Sequence, residues 1–331
     1  MKVNFLVSKE EFSKYVMNLL EKDESCKNVN RLSVKYLIVA ISILVISVII
    51  LARYFFRFVV FYRASDVIIL IAGVILFSVA VVMIKRRKKS LKYYRENYRE
   101  KVLGYLLKDY NFYFNKSGWP FSWEFEHSQF VKSFDMCSSS DYLEINIPEN
   151  DGSLSKVDFK LCDLYAYNIH RDEEGNVSTS KVYKGMFGYA KFPRKFKCVL
   201  SVGVNFKRKN IKMENVELEN IVFNDKFKVK SNNQIEARYI LTPKMMEKLL
   251  CLGEKFDNLK LIFVDSYLYI GAPDIDMFEL QNLKNENVIS MFENFYDEIQ
   301  FVLNVVEEIK ENDKVFVTSS KKRSKKNNPI N

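Results

Sequence analysis

Two stretches of the sequence carry no charge. Tyr36–Ala52 (YLIVAISILVISVIILA) is 17 residues long and Val67–Ile84 (VIILIAGVILFSVAVVMI) is 18. At about 1.5 Å of rise per helical residue, each approaches the ~30 Å of a bilayer's hydrocarbon core. Tyr54, Phe55 and Phe56 extend the first run with rings suited to the membrane interface. A central Leu, Ile, Val or Phe favours insertion by roughly 0.3–0.6 kcal/mol, so each run gathers several kcal/mol with no internal charge to oppose it. Soluble core helices seldom run so long with no polar residue beyond serine. The pair predicts a two-helix transmembrane hairpin over residues 36–84, and the rest of the chain is read around it.

Lys and Arg set the expected orientation. Lys22, Lys27, Arg31 and Lys35 precede the first span, and Lys85, Arg86, Arg87, Lys88, Lys89 and Lys92 follow the second. The link between the spans holds Arg53, Arg57 and Arg63 with Asp66. This bias predicts a multi-pass protein of the inner (plasma) membrane with both termini cytoplasmic. Only the link 53–66 would face outward, too short to fold, with Phe58–Tyr62 apolar enough to lie in the interface. No signal peptide is expected, since the first apolar run begins some 35 residues in and no small-residue cleavage site follows it.

The net charge of +10 resembles a nucleic-acid signature until it is divided along the chain. Residues 85–101 carry +7 and residues 314–331 carry +6, whereas residues 102–313 carry −7. The positive excess thus sits beside the membrane and on the tail. Lys85, Arg86, Arg87, Lys88 and Lys89 are placed to meet anionic lipid head groups, at about 1 kcal/mol per basic residue. A nucleic-acid binder carries its excess on the domain itself, so no nucleic-acid partner is expected. Five cysteines (Cys26, Cys137, Cys162, Cys198, Cys251) are dispersed without a C-x-x-C pair, the pattern of reduced cytosolic thiols.

Outside the hairpin the periodicity predicts an N-terminal cytosolic segment 1–35, a juxtamembrane helix 85–115, a cytosolic α+β domain 116–312 and a basic, disordered tail 313–331. Ser8 with Glu11 forms a capping box, and Phe12, Tyr15, Val16, Leu19 and Leu20 then share one helical stripe. This helix is expected to dock on the cytosolic domain, because its polar face mixes both signs. Val157–Ile169, Val182–Phe192, Phe196–Val204, Ile235–Leu241, Leu259–Val264 and Tyr267–Ile270 read as strands, with a loop over Arg171–Ser180 and a tight hairpin at Asp265-Ser266. Short strands in succession imply a mainly antiparallel sheet with flanking helices. Thr242-Pro243 should start a helix ended by Gly253, and Val288–Ile309 should be a closing amphipathic helix.

No nucleotide-binding, hydrolase, kinase or zinc-protease motif is present, and two histidines exclude a multi-histidine metal site. No cofactor and no catalytic residue is assigned. Glu124-Phe-Glu126-His127 reads as a solvated strand edge beside Trp123 and Phe125, and Asp172-Glu173-Glu174 as an exposed loop tip. Glu236 and Arg238, two apart on an expected strand, would share a face and pair, and with Tyr239 they form the candidate recognition patch.

Val182–Phe196 (VYKGMFGYAKFPRKF), Val216–Val229 (VELENIVFNDKFKV), Gln234–Leu250 (QIEARYILTPKMMEKLL) and Leu261–Ile270 with Met277-Phe278-Glu279 occur in that order. In this they resemble a bacterial family of two-span membrane proteins known only as domain of unknown function 3137. The resemblance implies a topology and a domain order, and no activity. The function expected is that of a membrane-anchored cytosolic interaction or scaffold protein, binding a protein partner or its own copies. The alternatives are a membrane-proximal enzyme using dispersed carboxylates (Asp265, Glu236, Glu124) and a component of a membrane transport assembly.

Overall fold

The computed structural model describes residues 7–22, 34–61, 64–148, 156–278 and 288–317. The chain divides into two compact units, one of Met1–Asn111 with Asp276–Gln300 and one of Phe112–Ile275 with Phe301–Asn331. The expected basic tail lies outside the described residues from position 318 onward.

In the first unit, helix α1 (Lys9–Glu21) starts where Ser8 accepts a hydrogen bond from the Glu11 amide at 3.3 Å. Its expected stripe is the inward one, with Phe12, Val16 and Leu20 buried. It packs within its own unit, on α4 and the first part of α9. Tyr15 stacks on Tyr105 of α4 (Arg99–Leu106) with centroids 3.8 Å apart. Against α9 (Val288–Glu311), Lys9 pairs with Asp297 at 2.9 Å and the Ser13 hydroxyl donates to Glu293 at 2.7 Å.

Helices α2 (Val34–Phe61) and α3 (Ala64–Asn97) form the hairpin, and segments Tyr36–Arg57 and Val67–Ser90 are long and apolar enough to cross a membrane. The two helices meet through small residues: Ala40, Ser47 and Ala80 are buried, and a Cβ on Gly73 would come within 3.1 Å of Leu51. Close backbone approach of this kind is how apolar helices associate where lipid gives no hydrophobic drive. The outward side chains are apolar, Ile49, Phe56 and Ile68 among them. The expectation of an unfolded link is corrected. Helix α2 continues through Phe61 and α3 begins at Ala64, because the aromatic-rich Tyr54–Phe61 stretch keeps making helical backbone bonds. Helix α3 ends at Asn97 and α4 follows, but the juxtamembrane helix stops at Leu106. Asn111–Asn115, expected to be helical, is strand β1.

The second unit is built on an antiparallel sheet. Its strands are β1, β2 (Met136–Pro148), β3 (Lys156–Arg171), β4 (Val177–Lys191), β5 (Leu200–Val202), β6 (Glu214–Asn215), β7 (Val229–Ser231), β8 (Lys260–Val264) and β9 (Tyr267–Pro273). The spatial order is β1-β2-β3-β4-β9-β8-β5-β7-β6. Strand β8 buries Leu261, Ile262, Phe263 and Val264, residues of both parities, so the sheet centre is covered on both faces. The long strand β3 changes its covered face partway. Val157, Phe159 and Leu161 are buried on one side, then Cys162, Leu164 and Ala166 on the other, and Tyr165 is exposed. The expected loop Arg171–Ser180 shrinks to a hairpin turn, because Asp172 accepts the Glu174 and Asn176 amides and frees Val177–Ser180 to pair in β4. Of the expected strand Phe196–Val204, only Leu200–Val202 pairs in the sheet.

Two expected strands are helices. Ser122–Ser128 is α5, and Gln234–Ile240 is α7, the latter capped by Asn233, whose side chain accepts the Ile235 and Glu236 amides. Helix α6 (Ile221–Lys226) precedes α7. Helix α8 (Pro243–Lys255) begins as expected, with Thr242 accepting the Met245 amide, and runs past Gly253. Its Lys244 and Lys248 both reach Glu308 of α9.

Candidate functional site

The densest arrangement of polar and aromatic groups in the second unit lies under α5. Phe125 is fully buried, its ring 4.9 Å from Tyr183 and 5.2 Å from Phe187. That anchor holds Trp123, Glu124 and His127 beside three tyrosines of the sheet. Tyr267 and Tyr269 are two apart on β9 and so share a face, and Tyr189 of β4 stands directly opposite Tyr269. The His127 Nδ1 and the Tyr269 hydroxyl share a hydrogen bond of 3.0 Å, and the imidazole stacks on Trp123 at 5.0 Å. The Tyr189 hydroxyl donates to Glu124 at 3.2 Å. Asp265 occupies the two-residue turn between β8 and β9 and pairs with Arg208 at 2.9 Å.

Burial pushes the His127 imidazole below its ordinary value, with Asp265 opposing that shift and Arg208 adding to it. The ring is therefore neutral at pH 7. Burial drives the Tyr189 phenol upward, reinforced by Glu124, and drives Tyr269 upward with help from Tyr267 and Glu124. Both phenols stay protonated and act as hydrogen-bond donors, not as bases. Glu124 and Asp265, two of the dispersed carboxylates, do converge on the Tyr269–His127 pair, but each is engaged, Glu124 by Tyr189 and Asp265 by Arg208. Chemically this is a fixed recognition surface: rings, neutral donors and a screened ion pair.

A cleft of about 1260 Å³ opens beside α5, lined by Trp123, Phe130, Phe134, Met136, Cys137 and Lys260 among others. The Cys137 thiol lies 3.2 Å from the Ser122 hydroxyl. Trp123 is 56% exposed and Trp119, stacked on Tyr142 at 5.7 Å, is 50% exposed. These are the chain's two tryptophans.

The residues singled out from sequence fall in separate places. Glu236 and Arg238 do not pair, because on helix α7 a spacing of two turns them about 200° apart. Glu236 lies 3.8 Å from Lys197, and Arg238 donates to the Gln234 and Glu217 carbonyls. Tyr239 is exposed, one turn after the exposed Ile235. Asp172 holds its own hairpin turn. Lys85, Arg86, Arg87, Lys88 and Lys89 lie on α3 past the apolar stretch. Tyr189, Arg208, Tyr267 and Tyr269 were not singled out. Their sequence signal is faint: Tyr267 and Tyr269 alternate on one strand, but nothing local ties them to His127, 142 residues away from Tyr269.

Residues 181–311 match the model of a family described as "Protein of unknown function (DUF3137)". This stretch is similar to that family. It takes in most of β4, all of β5 to β9 and helices α6 to α9. The matched segment contains Tyr189, Arg208, Asp265, Tyr267 and Tyr269, while α5 with Trp123 and His127 precedes it. No curated protein matches the chain. Among solved structures, the mycobacterial trehalose monomycolate transport factor A, TtfA, is similar at a TM-score of 0.31 and 10% identity, over 65% of this chain and 95% of that one. Likeness at that level carries no argument about what this chain does.

Proposed function

We propose that this chain is a membrane-anchored binding protein. Its hairpin crosses the inner membrane with both termini cytoplasmic, and its α+β domain recognises a protein partner or a second copy of itself. The observation that carries the reading is the pair of exposed tryptophans, Trp119 stacked on Tyr142 and Trp123 lining the α5 cleft. Exposed tryptophans held by stacking are the residue type most enriched at the energetic centres of interfaces. The anchor is supported by the apolar outer surfaces of α2 and α3, which suit lipid, and by Lys85–Lys89 beside α3's apolar stretch, which suit anionic head groups. Ile235 and Tyr239, exposed on one side of α7, supply a second surface for a partner.

One observation favours a membrane-proximal enzyme, the convergence of Glu124 and Asp265 on Tyr269, the hydrogen-bond partner of His127. A general base needs hydrogen-bond reach to a substrate proton. Here His127, Glu124 and Asp265 each spend that reach on Tyr269, Tyr189 and Arg208. Binding is therefore preferred over catalysis.

Cysteine labelling tests the anchor. In a chain with Cys26, Cys137 and Cys251 replaced by serine, a membrane-impermeant maleimide applied to intact cells is expected to modify Arg57→Cys and to spare Glu174→Cys at the β3–β4 hairpin. Labelling at position 174 without lysis overturns the topology. For the partner surface, Trp119→Ala with Trp123→Ala is expected to abolish a crosslinked species that Tyr113→Ala retains. An unchanged crosslinking pattern refutes the tryptophan reading.

A further inference from the structure

Most lysines of the sheet unit that make an ionic contact do so with a carboxylate. Lys156 meets Asp158, Lys181 meets Asp274, Lys197 meets Glu236, Lys212 meets Glu214, and Lys244 and Lys248 share Glu308. Other lysines of the unit make no such pair among the described residues, and four of them are gathered in one place. A trough of about 830 Å³ beside the end of β5 is lined by Lys226, Lys228, Lys230 and Lys260, against a single carboxylate, Asp257. None of the four lysines makes an ion pair among the described residues. Two of the ammonium groups are held by neutral neighbours. Lys230 donates to the Asn205 side-chain oxygen at 2.9 Å, and Lys260 donates to the Phe130 carbonyl at 3.0 Å. The Lys226 stem lies over Gly253, where an added Cβ would come within 2.8 Å of its Cε.

Clustering like charges without a counter-charge is unfavourable, and in a domain of net −7 a carboxylate partner would be easy to supply. Burial already holds the Lys260 amine below its ordinary value, the mark of a cation lacking anionic company. With its oxygen turned to Lys230, the Asn205 amide leaves two N–H donors at the same trough. Convergent ammonium groups and amide donors are the chemistry that recognises a tetrahedral oxyanion with several acceptor oxygens. The volume exceeds what one oxyanion fills, so there is room for the body that bears it.

We propose that this trough binds a phosphate group, carried either by a soluble phosphoester or by a lipid head group. The trough adjoins the α5 cleft, with which it shares Gly203, Val204, Asn205 and Lys260, but neither tryptophan lines it, and the proposal goes beyond the partner-binding reading, on which it does not depend.

The test uses the full chain in a neutral maltoside detergent and isothermal titration with two probes, inorganic phosphate and dihexanoyl phosphatidic acid below its micelle concentration. Saturable binding is expected, and the combined Lys226→Gln, Lys228→Gln and Lys230→Gln variant is expected to weaken it by about tenfold or more. The charge-matched variant Lys14→Gln, Lys22→Gln and Lys209→Gln, on exposed lysines outside the trough, should bind as the parent does. Tighter binding of the lipid than of phosphate supports the site and assigns it a head group. Equal binding supports it and assigns a soluble phosphoester. Should the trough variant melt at a lower temperature than the parent, Lys228→Gln alone is the variant compared. No saturation with either probe overturns the proposal, as does parental affinity in the trough variant or an equal loss in the charge-matched control.

Discussion

Helix α5 is seven residues long, too short to persist on helix propensity alone, so its place depends on what it buries. Among its residues only Phe125 and Ser128 are buried. Phe125 is enclosed by Phe121, Phe134, Tyr183 and Phe187, with ring centroids 5.3 Å from Phe134 and 4.9 Å from Tyr183. Phe125→Ala removes the whole ring from a site with no exposure. Trp123 cannot swing in to fill the gap, because it is stacked on His127. A poorly collapsing site falls in the usual range for buried Phe→Ala, about 3–5 kcal/mol. For a folded unit of this size each kcal/mol moves the midpoint by roughly 2–4 °C, so a drop of about 6–20 °C is expected. The assay is thermal unfolding of the detergent-solubilised chain followed by circular dichroism, with tryptophan emission recorded in parallel because Trp119 and Trp123 flank the anchor. Phe125→Leu, which keeps an apolar side chain in the site, should lose clearly less. A Phe125→Ala midpoint within about 2 °C of the parent, with unchanged emission, would refute the claim that this ring holds α5 on the sheet.

Two further outcomes follow from the same geometry. Because the folded-state value of His127 is lowered, the folded chain binds fewer protons there than the unfolded chain does. The stability it contributes is complete above the ordinary histidine value of about 6.5 and is lost as pH falls through the lowered value. Trp123 emission should titrate in that same window and stop doing so in His127→Gln; a titration that survives the substitution assigns it to another group. Asn233→Ala removes the side chain that accepts two α7 amides and should destabilise the chain by about 1 kcal/mol, read as a lower unfolding midpoint, with Asn233→Asp close to the parent. Equal midpoints for Asn233→Ala and the parent would show that α7 does not need its cap.

Where a local rule was strong, the sequence was legible. Ser8 with Glu11, Thr242 with Pro243 and the Asp265-Ser266 turn each name a backbone geometry through side chains no more than three residues apart, and each stands where it was expected. The long α9 spans enough turns for the helical period to declare itself. The two expected strands that are helices, α5 and α7, are both seven residues long. In SWEFEHS and QIEARYI the apolar residues mostly alternate, which is the period of a strand, so the pattern itself pointed to the wrong element. The deciding signal in α7 was Asn233 as its cap, and α5 has no side-chain cap at all. The candidate site failed for a different reason. Its parts come from α5, β4, β9 and the Arg208 turn, and only the sheet register brings Tyr189 opposite Tyr269.

The lysine trough was half legible. Lys226, Lys228 and Lys230 repeat every second residue, a spacing that puts them along one edge once the chain is extended, as it is from Phe227 onward. What the spacing does not contain is the opposite wall. That wall depends on Gly203, whose φ of +72° and whose approach to the Leu259 carbonyl leave no space for a Cβ. Its amide donates to the Lys228 carbonyl at 2.9 Å, which draws the 203–205 segment against the lysine edge and brings Asn205 to Lys230. The cationic site thus depends on a glycine that carries no charge, and a reading by charge alone passes over it. The same holds for the net −7 of residues 102–313. That sum describes the average surface and conceals a recess where four cations meet one anion. At physiological salt the field of distant carboxylates is screened beyond about 8 Å, so the composition of the recess, and not the total, governs what can bind there.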